Sequence, residues 1–403
     1  MEEPVLLAPV NLEERYSSLD VIRGVALFGV LMGNLLMGFR VSIYHYYLVF
    51  HTDPGLASHA VDYLREIFIS GKAMTLFTLL FGVGMAVQMD RARQSGRGVA
   101  SFMLRRLFIL LLMGFAHLLL LWEGDVLVLY AVCGIVALMF SRASATFLVC
   151  VAVLLLCIHV IPFTDFANAP PDEAYLRELV ENHSGWIADA TYLELIGYRL
   201  EMLPWFTLRD HMFAVLPTCG VMLLGMAAWR SGVLRNPGSH SRLLWSLIVG
   251  GALIGFAATA VIVQVRVTRE YIGGWSWLCD LLAHLPLALA YGAALLLWLD
   301  RHPDPDGKCR TLFAAAGRMA LTNYLLQSLI FTTLFYGYGF GLFNRLSSAR
   351  VVPLGLLVFV CQLYFSRSWL RTHRFGPVEW LWRSLTYGRL QPMKLAPKGV
   401  QPV

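Results

Sequence analysis

The stretch RRLFILLLMGFAHLLLLWEGDVLVLYAVCGIVALMF, residues 105–140, holds two apolar runs separated only by Trp122, Glu123, Gly124 and Asp125. Each run, near 104–122 and 125–141, approaches the roughly 20 apolar residues that a helix needs to cross the hydrocarbon core of a bilayer. The turn between them is too short to carry Asp125 far from the end of the first helix. Residues 105–140 therefore read as a membrane hairpin with polar groups held at its tip.

The rest of the chain extends this reading. Its 403 residues are 58% hydrophobic and 14% charged, against roughly 45–50% apolar and about 25% charged in soluble globular proteins. A soluble enzyme is excluded on that balance, and a helix count replaces the usual estimate of domain number. Apolar runs lie near 20–39, 66–89, 104–122, 125–141, 144–163, 211–230, 244–265, 281–300, 316–336 and 351–370. The expected fold is an all-α polytopic membrane protein, residues 1–403 forming one bundle of about ten transmembrane helices.

With the first helix directed outward, about two thirds of the Lys and Arg residues fall on inside segments, which orients both termini to the cytoplasm. The acidic start MEEPVLLAPVNLEER lacks the basic flank of a secretory signal and reads as a retained cytoplasmic arm. The slight excess of 32 Lys+Arg over 26 Asp+Glu is thus a matter of topology, and lipid rather than nucleic acid is the expected partner. Segment 164–210 breaks the short-loop pattern and reads as an extracytoplasmic subdomain with one or two helices. In the tail, 375–403, GPVEWLWRSLTYGRL sets Val378, Leu381, Trp382 and Leu385 on one face of an interfacial helix. The seven cysteines, Cys133, Cys150, Cys157, Cys219, Cys279, Cys309 and Cys361, have no metal-ligand spacing and read as small core residues; no metal is expected.

Ionisable groups at membrane depth cost free energy, so each needs a partner or a use. They fall into two layers. The inner one contains Asp20, Arg23, Arg105, Arg106 and Arg318. Asp20 and Arg23, three apart, suit an intrahelical ion pair. Arg105 and Arg106, beside Arg91, Arg93 and Arg97, either report topology or form a clamp for a phosphorylated cytosolic ligand, because guanidinium forks match phosphate oxygens.

The outer layer contains Asn34, Lys72, His117, Glu123, Asp125 and His284. His117 follows Arg105 by about 18 Å of helix at 1.5 Å per residue. It is either a hydrogen-bonded packing residue or a base, and Asp125 is placed to orient its ring as the acid of a catalytic triad does. Lys72 either snorkels to the headgroups or pairs with Asp125 or Glu123. Asn34 can donate to a carbonyl oxygen or to a neighbouring helix. His45, His51 and His59 in the first outer loop are expected to face water and stand in reserve as bases.

The blocks SLDVIRGVALFGVLMGN (18–34), GKAMTLFTLLFG (71–82), RRLFILLLMGFAHLLLLWEGDVLVLYA (105–131), GRMALTNYLLQSL (317–329) and GPVEWLWRSLTYG (376–388) resemble, in order, the YeiB-like family of bacterial inner-membrane proteins. Through LDxxRGxA at Leu19 to Ala26 and the arginine-opened third helix, that family is distantly similar to the heparan glucosaminide N-acetyltransferases and type-3 acyltransferases. The resemblance implies a multi-pass protein of the bacterial inner membrane that moves an acyl group from cytosolic acyl-CoA to an extracytoplasmic hydroxyl or amine. In those relatives the key histidine lies in or beside the first helix; here that helix has none, and His117 or a loop histidine would take its place.

One mechanism joins the two layers: Arg23, Arg105, Arg106 and Arg318 hold the donor's phosphates, His117 and Asp125 supply the base, and Asn34 or Lys72 stabilises the oxyanion. The acceptor would be a glycan, a lipid or a small molecule. The rival expectation is a proton-coupled secondary transporter using Lys72, His117 and Asp125, with glycine-interrupted spans at Gly82, Gly84 and Gly114.

Overall fold

A computed structural model describes residues 17–395 apart from 49, 51–54, 97, 162–171, 205–210, 270–271, 273–274, 303 and 305–306. The described residues form fifteen α-helices, with no strand among the named elements. They are α1 (Ser17–Asn34, continued as a π-helix over Leu35–Phe39), α2 (Leu56–Phe68), α3 (Lys72–Gln94), α4 (Val99–Leu120), α5 (Leu127–Leu138), α6 (Ala145–Val160), α7 (Glu173–Asp189) and α8 (Tyr192–Pro204). There follow α9 (His211–Arg230), α10 (Ser241–Thr268), α11 (Trp275–Arg301), α12 (Lys308–Arg318), α13 (Ala320–Phe335), α14 (Ser348–Trp369) and α15 (Pro377–Tyr387).

Six helical segments are long and apolar enough to cross a membrane: Ser17–Phe39, Leu56–Gln94, Val99–Leu120, Pro237–Thr268, Trp275–Arg301 and Ser348–Trp369. Four shorter apolar helices, Leu127–Leu138, Ala145–Val160, Ala214–Arg230 and Ala320–Phe335, account for the remaining apolar runs. The chain is an all-helical membrane protein. Two of the shorter helices join the helix before them through tight connections, α5 to α4 at the WEGD turn and α13 to α12 at Met319.

Lipid is as apolar as a leucine side chain, so helix association inside it depends on close packing rather than on burial from water. The tightest crossings accordingly fall at glycines. Gly24 of α1 lies on the Phe313 carbonyl and Gly317 of α12 on the Asp20 carbonyl, so these helices touch backbone to backbone. Gly82 of α3 and Gly225 of α9 make the same reciprocal contact, on the carbonyls of Met222 and Leu79. Helix α1 also packs against α3, α11, α13 and α14, and α10 pairs lengthwise with α11.

The segment expected as an extracytoplasmic subdomain contains α7 and α8. Asp172 caps α7 by accepting from the Ala174 N–H at 3.1 Å. The two helices are fastened to one end of the bundle. Arg199 of α8, fully buried, donates to Glu123 at 3.1 Å and to the Leu119 carbonyl at 3.3 Å, and the Tyr336 hydroxyl reaches the other Glu123 oxygen at 2.6 Å. His183 joins Ser42 at 2.9 Å, and burial holds its imidazole below the ordinary range. Because Glu123 keeps 20% exposure of its side chain, Arg199→Met is expected to cost about 3 kcal/mol, the lower end for breaking a buried pair. A thermal melt of the purified protein reads it; an unchanged midpoint would show that this pair does not fasten the cap.

Two expectations are corrected here. Only Cys133 and Cys219 are buried; Cys150, Cys157, Cys309 and Cys361 are exposed. His45 is buried instead of facing water, His59 is half-buried, and His51 lies outside the described residues.

Candidate functional site

Polar side chains from α4, the following turn and α13 meet inside the bundle. His117, on the last turn of α4, places Nδ1 2.7 Å from Asp125 Oδ2 and Nε2 2.8 Å from Ser328 Oγ. Asp125 is itself fixed, its second oxygen accepting from the Val128 N–H at 2.8 Å. All three are buried: His117 is 2% exposed, Asp125 6% and Ser328 0%. The short WEGD turn produces the first contact. The second joins residues 211 positions apart and arises only from the packing of α13 against this corner.

On the side of this corner toward α12 and α15 lies a cavity of about 300 Å³. Its mouth carries Arg23, Arg91, Arg106, Arg318 and Arg383, with Asp20 and Glu379 among them. Arg23 pairs with Asp20 at 2.9 Å. The Arg106 guanidinium stacks over the Trp382 ring at 3.5 Å, and the Trp382 indole N–H donates to the Arg106 carbonyl at 3.0 Å. Beyond the mouth the wall is apolar, with Leu27, Phe77, Leu107 and Leu127 among its residues. Tyr130 and Tyr324 also line it. The Tyr130 hydroxyl meets Thr78 at 2.7 Å, and the Tyr324 ring stands 5.0 Å from that of His117. His117 is therefore one side chain away from the cavity and not on its wall.

Arg23, Arg106 and Arg318 stand at the mouth as expected from their inner-layer position, but Arg105 does not. It is exposed and absent from the cavity wall, because neighbouring residues on a helix point about 100° apart and only one of the pair faces inward. Arg383 and Glu379 were missed. Both sit on α15, the helix expected in the tail, which packs against α4 and α13. Trp382 turns inward while Leu381 and Leu385 stay exposed. Glu379 caps α13, accepting from the N–H groups of Leu321 and Thr322 at 2.8 and 3.0 Å and from the Thr322 hydroxyl at 2.5 Å. Burial pushes its carboxyl above the usual range, against the pull of those donors.

Lys72 and Asn34 also depart from expectation. Lys72 pairs with neither Asp125 nor Glu123; its ammonium donates to the Glu66 carbonyl at 2.6 Å. It belongs to a separate buried charge network in which Glu66 meets Arg65 at 3.0 Å and Arg266 at 2.6 Å, and Arg266 lies 3.8 Å from Asp280. Helix α2 creates this network by turning Asp62, Arg65 and Glu66 inward while Leu64 and Phe68 face out. His284 joins it, with a buried Nε2 that makes no hydrogen bond among the described residues. Asn34 is half-buried where α1 changes to a π-helix and caps nothing there. Neither Asn34 nor Lys72 lines the cavity.

A family model described as protein of unknown function, DUF418, matches residues 228–389. The chain is 34% identical over 404 residues to the uncharacterized protein YxaH of Bacillus subtilis strain 168, covering 96% of this chain and 98% of that one. It is 32% identical over 398 residues to the uncharacterized protein YeiB of Escherichia coli strain K12, covering 93% and 96%. The chain belongs to the YeiB-like, DUF418 family. A third relative, an uncharacterized 39.9 kDa protein in the amylase 3' region of Bacillus acidopullulyticus, is 27% identical over 402 residues and covers 96% and 98%. The five blocks that carry the YeiB-like resemblance converge on the cavity: Asp20 and Arg23, Met74 and Phe77, Arg106 and Tyr130, Arg318 and Tyr324, Glu379 and Trp382 all line it.

Proposed function

We propose that this protein is an integral-membrane acyltransferase that takes an acyl group from cytosolic acyl-CoA and passes it to an extracytoplasmic hydroxyl or amine. The observation that carries the reading is the cavity, with an arginine mouth at one end and Tyr324, backed by His117 and Asp125, at the other. Its volume of about 300 Å³ is at the small end for ligand sites, which suits a slender pantetheine arm and not a whole nucleotide. In this reading Arg23, Arg106 and Arg318, joined by Arg91 and Arg383, bind the phosphates outside the narrow part. The apolar wall takes the arm, and His117, oriented by Asp125, serves as base for the acceptor. The bundle lies in the bacterial inner membrane with both termini and the mouth toward the cytoplasm, as the basic segments direct. The acceptor, a glycan, a lipid or a small molecule, arrives from the end covered by α7 and α8.

Reconstituted protein given acetyl-CoA labelled in the acetyl group should release CoA and transfer label to an envelope extract. Loss of one charge-assisted contact predicts donor binding weaker by roughly 10- to 100-fold in Arg106→Ala. Arg105→Ala should stay within about threefold of the parent, since an exposed charge contributes little. Equal loss in both variants, measured as Kd on folded protein, would contradict the assignment of the mouth.

One observation favours a second reading, a proton-coupled secondary transporter. The buried network of Lys72, Glu66, Arg266 and Asp280 is charge chemistry of the kind that transporters place between helices. Uptake driven by a pH gradient in proteoliposomes, with no CoA binding, would select it.

A further inference from the structure

We propose that Ser328 is a catalytic nucleophile, carrying the acyl group as a serine ester between donor and acceptor. The inference rests on the acyltransferase reading for its donor, but the geometry stands independently of it. Asp125 engages Nδ1 of His117 and Ser328 engages Nε2, the two-sided arrangement that activates a serine hydroxyl on several unrelated folds. The carboxylate draws the ring proton to Nδ1, which leaves the Nε2 lone pair to accept from the Ser328 O–H.

A serine with only a packing role in a membrane helix satisfies its hydroxyl on the carbonyl one turn back. Two neighbours on α13 do so: Thr332 bonds the Ser328 carbonyl at 2.7 Å and Thr333 the Leu329 carbonyl at 2.7 Å. Ser328 differs. Its contact with the Tyr324 carbonyl is long, at 3.4 Å, while the histidine lies at 2.8 Å. Tyr324, one turn before it on the same helix, forms cavity wall, so the Tyr324 side chain is what separates an arm in the cavity from the buried serine.

In the first half-reaction the Oγ–H proton passes to His117 Nε2 as Oγ bonds to the thioester carbonyl carbon. The C–S bond then breaks, and the departing thiolate takes the proton from the imidazolium, leaving an acyl ester on Ser328 and free CoA thiol. In the second half an acceptor hydroxyl or amine gives its proton to His117 and bonds to the same carbon. The ester bond breaks and Ser328 Oγ recovers the proton. No redox partner is needed.

The test uses the full chain in detergent with two probes, a fluorophosphonate and acetyl-CoA labelled in the acetyl group, each followed by peptide mass spectrometry. Ser328 should be phosphonylated in the parent protein, labelling should fall at least 100-fold in His117→Asn, and acetyl-CoA should leave an acetyl ester on Ser328. Ser328→Cys should retain a hydroxylamine-labile acetyl adduct, which keeps the test informative if Ser328→Ala folds poorly. Phosphonylation of Ser328 without CoA binding would preserve the nucleophile and overturn the acyl-CoA reading. Acyl transfer at the parent rate by Ser328→Ala would overturn the nucleophile and leave acyl transfer intact. No label at Ser328 from either probe would also overturn it.

Discussion

His117→Asn is expected to lower acyl transfer by roughly 10²- to 10⁴-fold, the contribution of a positioned general base. The imidazole contacts both Asp125 and Ser328, so its loss disconnects the hydroxyl from the acid. A part of the effect is structural. The Asp125 carboxylate stays buried with the Val128 N–H as its remaining hydrogen-bond donor among the described residues, and a buried charge that loses its partner costs several kcal/mol. Asparagine retains a polar group beside the carboxylate, and turnover should be normalised to the folded fraction from a parallel melt. Asp125→Asn should lose less, since the ring keeps its position while its tautomer is no longer enforced. A His117→Asn protein that releases CoA at the parent rate would remove His117 from the chemistry.

Gly317→Val is expected to destabilise the bundle strongly. A Cβ at Gly317 would sit 2.8 Å from the Gly24 nitrogen and 3.0 Å from the Asp20 carbonyl carbon, and backbone cannot rotate aside as a side chain can. Relief requires α1 and α12 to separate, which also displaces Asp20 and Arg23 at the mouth. Overpacking a closed contact costs about 1–3 kcal/mol or more, and two additional methyl groups place this case at the upper end, a large part of the 5–15 kcal/mol that holds a typical protein folded. Gly84→Ala is the control. Nothing lies within 4 Å of that position, so its melting temperature should stay near the parent's. Fluorescence-detected size exclusion of both variants reads the difference; a monodisperse Gly317→Val protein would show that the crossing tolerates expansion.

The contrast between Gly82 and Gly84 shows where sequence reading stops. As two glycines in one apolar run they look alike, yet one lies against the Met222 carbonyl of α9 and the other faces open space. Contacts within a few residues were legible: the Asp20–Arg23 pair follows from helical spacing, and the His117–Asp125 contact from a turn too short to part them. Ser328 carried no such signal, since a serine in an apolar helix is ordinary and its partner is 211 positions away. The inward face of α2 was hidden for a related reason. In α2 the charges face in and Leu64 and Phe68 face out, and Lys72, expected to snorkel or to pair with Asp125 or Glu123, meets the Glu66 carbonyl six residues away.

Binding of acyl-CoA in the cavity behind the arginine mouth is read most directly by thermal stability in detergent. A ligand that binds only the folded form stabilises it by RT ln(1 + [L]/Kd), about 2.7 kcal/mol at a hundredfold excess over Kd. The melting temperature should rise with acetyl-CoA, rise less with the pantetheine thioester lacking the nucleotide, and respond much less in Arg106→Ala. A melting temperature unmoved by acetyl-CoA across a saturating range, in a parent protein that is monodisperse and folded, would contradict such binding.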